Sequence, residues 1–511
     1  MKSRTVGIIL CMKKNKTEQF CKKILCSELP RKRALTNILM GLSSSPDAKS
    51  VVSVTESRHC HYTHSNVGKV VEDLSKNAQQ LAVVTQQVQA ILCEYIPDAR
   101  LWDGQPYYVI QTDVTKVIKP HSKTLEGRQY VPVSNNRVPG NKPIDAGCRI
   151  SITHVHAESG WSLPLETKIL DVEGDAIAMA VAQVKSLLDN KSRPFGQHLC
   201  IEEADSSYGQ AAFLSPLYEY ENLVCIVRLR SGCRVWLHAE PKSTNGAPSI
   251  YGEKYYLNEH THMKTYKKKP NTKHTKGLDI QVMQRSVTEL EPQQSVEQEQ
   301  VLKNGRKVNL YIKRWNNVMI RSKNGHNMKD KPFDLIRVEI RDVSTLKLVF
   351  DRPMFIAVSG KRKNEASTIF AQQRYRERFD VEPTYNFIKH DLLLQNFQTS
   401  IRQHLSNYLI IVTMTLWLLF VARNETSFKC KPWQKYLPKN KQAALEQQPT
   451  LSMAQTRNSI ATLFDTFDPT PFRPLYYKKG MGRPLNTILQ KRQPQPFLKK
   501  SKKQPKINLR V

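Results

Sequence analysis

Several features of secreted and membrane proteins are scarce in this sequence. Its ten cysteines are scattered irregularly over 511 residues, which argues against a disulfide framework and predicts reduced thiols in the cytoplasm. The first apolar stretch, VGIILCM, is too short for a signal peptide and has no small-residue cleavage site. The apolar run at residues 408–422 has fifteen residues, fewer than the roughly 20 that span a hydrocarbon core. We therefore expect a cytoplasmic protein in which this run forms a buried helix.

Acidic residues are scarce as well. There are 45 aspartates and glutamates against 78 lysines and arginines, which gives a net charge of +33. Such an excess is the expected footprint of a protein that binds a polyanion, although ribosomal, chromatin-like and membrane-surface proteins share it. Residues 476–511 contain eleven basic residues and no acid, so we expect a disordered tail that is attracted to phosphates. Within this tail, Gly482-Arg483-Pro484 either forms a minor-groove hook or makes nonspecific phosphate contacts.

The periodicity of the apolar residues predicts an α/β protein with a mixed sheet. The amino-terminal region has the amphipathic pattern of helices and indicates a module for DNA binding or self-association. Strand-like runs then surround one helix, and a polar linker at 258–305 leads into a β-rich insertion with the strands KVNLYIKRW, FDLIRVEIRD, LKLVFD and MFIAVSG. The sequence thus predicts five regions: a helical region at 1–100, the first part of the core at 105–232, the linker with the insertion at 233–360, the last core helices at 361–425 and a basic tail at 426–511.

The most specific pattern is Y-x2-R-x3-E-x6-K, formed by Tyr375, Arg378, Glu382 and Lys389. At about 100° per helical residue, these four side chains share one stripe roughly 60° wide. A carboxylate flanked by cations can hold a metal ion while its neighbours bind phosphates, which is what phosphodiester chemistry on DNA requires. The pattern therefore predicts a nucleic-acid site, although an exposed helix face with ordinary charge pairs is the simpler interpretation of any two of these residues.

Two aspartates upstream are suited to the same chemistry. Asp113 ends the strand-like run YYVIQTD, and Asp205 ends HLCIEEAD just before a turn with Gly209. Strands that end in this way can bring the two carboxylates together with Glu382 around two divalent ions. Mg²⁺ suits such a site because it prefers oxygen ligands and leaves coordination positions for a substrate phosphate.

The order Asp, Asp, Glu with this signature resembles the DDE transposases of bacterial insertion sequences, which have an RNase H-like catalytic fold. The similarity extends through residues 120–147, 204–214 and 375–394 and covers roughly residues 30 to 500. The resemblance implies that Asp113, Asp205 and Glu382 bind two Mg²⁺ ions, for which Mn²⁺ can substitute. It also implies that Tyr375, Arg378 and Lys389 contact the transposon end.

From this resemblance we expect a cut-and-paste transposase that acts on double-stranded DNA, as a homodimer in the end complex, in the bacterial cytoplasm near the nucleoid. Two alternatives stay open. A structure-selective nuclease would share the fold and the metal ions but would not join strands. A catalytically inactive descendant would keep only DNA binding.

Two residues bear on these alternatives. Pro383 directly follows Glu382, and a proline inside a helix costs about 3 kcal/mol unless it lies in the first turn. We expect the first-turn position, with the predicted stripe divided into two segments. Trp315, in the insertion, either packs under a sheet edge or stacks on a flipped base as in some relatives, so we leave it outside the predicted site.

Overall fold

The computed structural model describes residues 15–132, 144–157, 160–240, 250–267, 279–302, 305–321, 326–430, 432–439, 450–468 and 494. Its first part is helical, as the sequence predicts. Asn15 and Asn77 cap two of these helices by accepting hydrogen bonds from backbone N–H groups of the first turn. The helices are α1 (Lys16–Cys26), α2 (Lys32–Ser44), α3 (Val51–Val54), α4 (His64–Asp73) and α5 (Ala78–Cys93).

A mixed sheet follows these helices. Its first strands are β1 (Arg100–Trp102), β2 (Gln105–Ile118), β3 (Gln129–Pro132), β4 (Ile144–Ala157) and β5 (Trp161–Leu170). After them come α6 (Ala176–Asp189), α7 (Pro194–Gln197), β6 (Leu199–Ala204), α8 (Ala211–Leu217) and β7 (Leu223–Leu229). Strands β2, β4 and β5 pair antiparallel, whereas β6 is parallel to β2 and β7 is parallel to β6. The spatial order β5-β4-β2-β6-β7 is that of an RNase H-like fold.

The β-rich insertion continues this sheet. Its strands are β8 (Arg234–His238), β9 (Tyr251–Tyr256), β10 (His262–Lys267), β11 (Asp279–Gln284), β12 (Gln294–Val301), β13 (Lys307–Val318), β14 (Phe333–Asp342) and β15 (Met354–Ser359). Strand β15 pairs with β7, and β14, β13 and β12 follow outward in an 11-stranded sheet. The predicted strand LKLVFD is wrong, because that stretch has only an isolated bridge at Leu348.

The prediction of a flexible linker at 258–305 is also wrong for the described residues. Strands β10 and β11 form a two-stranded ribbon, and β12 is an edge strand of the large sheet. Most side chains of β12 are exposed, and an edge strand of this kind needs little apolar content. A low apolar content therefore does not distinguish such strands from a linker.

The last helices complete the core. They are α9 (Thr368–Glu377), a 3-10 turn (Arg378–Asp380), α10 (Val381–Asn386), a π-helical turn (Phe387–Asp391), α11 (Arg402–Ala422), a 3-10 turn (Pro432–Tyr436) and α12 (Met453–Phe467). Helix α12 packs against α2 and α11, so this part of the expected basic tail is folded. The acid-free segment with Gly482-Arg483-Pro484 lies outside the described residues.

Helix α11 contains the apolar run at 408–422. Within the described part of the chain it alone is long and apolar enough to cross a membrane, but 94% of its most apolar window is buried inside the protein. It packs between the amino-terminal helices and β5, where Trp417 Nε1 donates a hydrogen bond to the carbonyl oxygen of Pro164 at 2.7 Å. The prediction of a buried helix is confirmed.

Candidate active site at the ends of two parallel strands

Backbone pairing between β2 and β6 places two aspartates side by side. The register is constant from Tyr107–Leu199 to Thr112–Ala204, so the next residue of each strand is Asp113 and Asp205. Asp205 directly follows β6, as predicted. Asp113 does not end its strand, because β2 runs to Ile118 beside β4; it lies where the parallel pairing with β6 stops. The two carboxylates therefore share one face of the sheet at the carboxyl end of its parallel pair.

The electrostatics of Asp113 reflect this crowding. Its burial raises its pKa to about 6, the Arg378 guanidinium opposes the rise, and the neighbouring Asp205 adds to it. Asp113 Oδ1 accepts a hydrogen bond from Val114 N at 2.7 Å, and Oδ2 accepts one from Arg378 at 2.8 Å. Because burial and Asp205 disfavour the charged form of Asp113, a cation beside it would stabilise that form.

A tight turn holds Asp205. Its Oδ1 accepts hydrogen bonds from the backbone N–H and the hydroxyl of Ser207. Two residues later, a Cβ atom on Gly209 would lie 2.4 Å from the carbonyl oxygen of Arg228. Only glycine permits this close approach, which is why the predicted turn contains it.

The signature residues do not lie on one continuous helix. The 3-10 turn Arg378–Asp380 advances about 120° per residue instead of 100°, so the chain after it is rotated by about 60° relative to a regular helix. A π-helical turn then includes Lys389. The stripe is therefore divided into segments, as expected if a helix begins near Glu382. Pro383 is the third residue of α10, the first-turn position that we expected.

Three of the four signature residues surround the aspartates. Tyr375 is buried, and burial raises the pKa of its phenol; Arg378 opposes this rise and Asp205 adds to it. Arg378 is 8% exposed and forms the ion pair with Asp113. Lys389 lies over the Tyr385 ring, with Nζ 5.8 Å from its centroid. Its burial lowers its pKa, Lys116 lowers it further, and Asp113 acts in the opposite direction.

Glu382 is the exception. Its side chain is 64% exposed, and Arg378 lies at 4.0 Å from it. Among the described residues, no three His, Cys, Asp or Glu side chains are arranged to hold a metal ion. Arg378 thus lies between Asp113 and Glu382, so the predicted triad is not assembled in this conformation.

Arg228 is a functional candidate that sequence reasoning missed. The pairing of β6 with β7 ends at Ala204–Val227, so Arg228 is beside Asp205. It is the exposed residue of the otherwise buried strand LVCIVRL, and it lies close enough to Tyr375 to oppose the rise that burial causes in the pKa of the phenol. The signal in the sequence is a single arginine within the otherwise apolar strand LVCIVRL. Its position suits contact with a phosphate of the substrate.

Two buried glutamates lie deeper in the same region. Burial raises the pKa of Glu202 well above its ordinary value, and neither of its carboxylate oxygens has a hydrogen-bond partner among the described residues. Burial also raises the pKa of Glu203 to about 8, although Gln111 Nε2 donates a hydrogen bond to its Oε2 at 2.9 Å. Gln111 and Glu203 are paired one layer below Asp113 and Asp205. Two pairs of polar side chains therefore succeed each other along the two strands.

Trp315 packs inside the protein. Its side chain is 2% exposed, and its Nε1 donates a hydrogen bond to the carbonyl oxygen of Leu290 at 3.0 Å. The packing interpretation is therefore confirmed, because a ring in this position offers no surface on which a base can stack.

An RNase H-like sheet with paired aspartates at its parallel strands defines the class of metal-dependent polynucleotide nucleases. A family model described as a DDE superfamily endonuclease matches residues 25–287, just over half of the chain. The protein belongs to this family, whose function is of the nuclease and transposase type and whose substrate is DNA. The match includes both aspartates and ends before α9, so it does not extend to Glu382. No curated protein matches the chain.

Members of this family generally use divalent metal ions, and the donors present here fit that use. Asp113 and Asp205 supply carboxylate oxygens, which Mg²⁺ and Mn²⁺ prefer. Burial and the neighbouring Asp205 raise the pKa of Asp113, and a bound cation would favour its charged form. Within the described residues, Asp205 Oδ2 accepts no hydrogen bond and is available to a cation.

Proposed function

We propose that this protein is a cut-and-paste DNA transposase. It hydrolyses the phosphodiester bond at the ends of a mobile element and directs the freed 3′-hydroxyl against target DNA. The observation that carries the proposal is the side-by-side placement of Asp113 and Asp205. This placement is supported by the cations Arg228, Arg378 and Lys389 around the same edge of the sheet.

The side chains of the site form two groups, those that would hold metal ions and those that bind DNA. Asp113, Asp205 and Glu382 would hold two Mg²⁺ ions, which activate the attacking oxygen and stabilise the leaving one in an in-line displacement. Arg228, with its exposed guanidinium, and Lys389 bind phosphates of the element's end. Tyr375 is buried beside these cations.

Arg378 has two roles in this scheme. In the protein alone it neutralises Asp113 through the 2.8 Å ion pair. When a phosphate reaches the site, Arg378 contacts it instead, and Glu382 can approach the aspartates. We further propose that the protein acts as a homodimer on paired ends and is located with the nucleoid in the bacterial cytoplasm.

Cleavage of labelled DNA that carries the coding region's own flanking sequence tests the proposal, with and without Mg²⁺. Asp113→Asn, Asp205→Asn and Glu382→Gln should abolish nicking and joining but leave DNA binding nearly intact, because phosphate contacts survive the loss of a metal ligand. Asp145→Asn is the matched control. Asp145 lies on β4 and accepts the same local hydrogen bond, from Ala146 N at 2.6 Å, away from the site. Near-normal cleavage by one of the three variants would remove that residue from the site.

One observation favours a second candidate, a descendant that binds DNA without cutting it. Glu382 is exposed and separated from Asp113 by Arg378, as expected if the third carboxylate no longer takes part. Wild-type protein that binds its flanking DNA but shows no Mg²⁺-dependent cleavage would favour this candidate. Cleavage of branched DNA without strand joining would instead indicate a structure-selective nuclease.

A further inference from the structure

The turn between α9 and α10 is held by side chains from three strands. Gln111 Nε2 on β2 donates a hydrogen bond to the carbonyl oxygen of Glu377 at 3.2 Å. Arg100 on β1 donates one to the Glu377 carboxylate at 2.6 Å. His156 Nε2 on β4 lies 2.9 Å from Asp380 Oδ2. We call Arg100, Gln111 and His156 the strand clamp.

The hydrogen bonds of His156 fix its tautomer. Arg100 lies 2.6 Å from Nδ1, and a guanidinium can only donate, so Nδ1 is the acceptor. The ring proton is therefore on Nε2 and is donated to Asp380. His156 is 4% exposed, whereas the carboxylates of Glu377 and Asp380 are partly exposed. The imidazole ring therefore connects Arg100 to the turn through two hydrogen bonds, each with a defined donor and acceptor.

Gln111 is held just as firmly. Its Oε1 accepts a hydrogen bond from the hydroxyl of Ser162 at 2.9 Å, and its Nε2 donates to Glu203 as well as to the Glu377 carbonyl. Gln111 is completely buried. Because the Glu377 carbonyl oxygen can only accept, Nε2 must face it, and the amide cannot be reversed without losing this contact.

The strand clamp acts on the residues that flank Arg378. Glu377 precedes Arg378, and Asp380 lies two residues before Glu382. The 3-10 segment lies between these two residues and changes the angle between the Arg378 and Glu382 side chains about the helix axis. In a regular helix this angle would differ by about 60°.

We infer that Gln111, Arg100 and His156 are positioning residues that hold the 377–380 turn and thereby set the directions of Arg378 and Glu382 at the active site. The inference rests on the proposed function for its catalytic consequence. The mechanical part, that the strand clamp holds the turn, can be tested without any cleavage.

The test compares His156→Phe with His156→Gln in the full-length protein. Phenylalanine keeps the ring but makes neither hydrogen bond, whereas the glutamine amide keeps one donor and one acceptor. Ser151→Ala is the matched control. Ser151 lies on the same strand, is equally buried, and donates a hydrogen bond to Gln183 on α6 at 2.7 Å.

Hydrogen–deuterium exchange of the protein alone is the first readout. We expect amides 378–382 to exchange about tenfold faster in His156→Phe, because the turn opens locally, and to recover in His156→Gln. Ser151→Ala should leave this segment unchanged. Unchanged exchange in His156→Phe would overturn the strand clamp whatever the activity is.

Cleavage kinetics are the second readout. His156→Phe should lower kcat for nicking by about 10- to 100-fold while KM for end DNA changes little, since misplaced groups impair the reaction more than binding. His156→Gln should restore kcat. Faster exchange with a normal kcat would refute the positioning role. If the wild type does not cut DNA, the proposed function fails, and the exchange experiment still decides whether the clamp exists.

Discussion

Glu203 should make the stability of this protein fall steeply between pH 5 and pH 8. Its carboxyl group is completely buried. Burial raises its pKa from 4.5 to about 8, which the hydrogen bond from Gln111 reduces only in part. In this range the folded state keeps the proton while the unfolded chain loses it, so the folded state becomes less stable as the pH rises. The loss is about 1.4 kcal/mol per pH unit.

Glu203→Gln removes this titration without changing the shape of the side chain. Its unfolding free energy minus that of the wild type should therefore increase by about 3.5 kcal/mol between pH 5 and pH 8. Urea unfolding at several pH values, without metal or DNA, measures this difference. Contributions from other groups, including Glu202, are common to both proteins and largely cancel.

Glu339→Gln is a control, because the pKa of Glu339 is shifted in the opposite direction to that of Glu203. Burial tends to raise the pKa of Glu339, but hydrogen bonds and charge from Arg341 and Arg337 outweigh it and lower the pKa below its ordinary value. The stability that Glu339 contributes is present above the unfolded pKa and is lost as the pH falls through the folded one. Its variant should therefore differ from the wild type by a constant amount between pH 6 and pH 8. Parallel profiles for Glu203→Gln and wild type would refute the reasoning.

Three further predictions follow from single side chains. Lys119→Met should destabilise the fold by about 3 kcal/mol or more in urea unfolding, because each buried acceptor left unpaired costs about 1–3 kcal/mol. The buried Nζ donates to the carbonyl oxygens of Leu394, Gln395 and Phe397. A change under about 1 kcal/mol would contradict this prediction. Arg228→Gln should weaken binding of end DNA and reduce the slope of log affinity against log salt by about one unit, and an unchanged slope would show that Arg228 contacts no phosphate. Pro383→Ala should change the unfolding free energy by much less than the roughly 3 kcal/mol of an interior proline and leave cleavage unchanged, whereas a large gain in Mg²⁺-dependent nicking would indicate a recently decayed enzyme.

The elements whose apolar residues follow one period could be predicted from the sequence. Strands β2, β4, β5, β6 and β7 and helix α6 lie where the apolar runs place them, because both faces of a central strand are buried and leave a clear pattern. The position of Asp205 followed directly from the end of β6. The burial of α11 was predicted from its apolar run of fifteen residues, which is shorter than the roughly 20 that span a membrane, although the whole helix of 21 residues is long enough to do so.

The elements that depend on distant contacts could not be predicted. The polar strand β12 was assigned to a linker because an exposed edge strand has no apolar face to recognise. Arg228 was missed because a single charge within an apolar strand acquires meaning only when the register places it beside Asp205. The burial of Glu203 was equally hidden, since local sequence does not show which strand face a helix covers.

The two halves of the candidate site differ in how they are positioned. Asp113 and Asp205 are fixed by backbone register within a sheet, and moving either by one residue would turn its side chain to the opposite face. Arg378 and Glu382 lie instead on a segment that changes from α to 3-10 to α and then to π geometry within fifteen residues. Arg100, Gln111 and His156, which are far away in sequence, form hydrogen bonds with this segment, and a local periodicity does not reveal such tertiary contacts. A uniform helical period therefore places Glu382 on one stripe with Tyr375, Arg378 and Lys389, whereas the 3-10 and π turns divide that stripe.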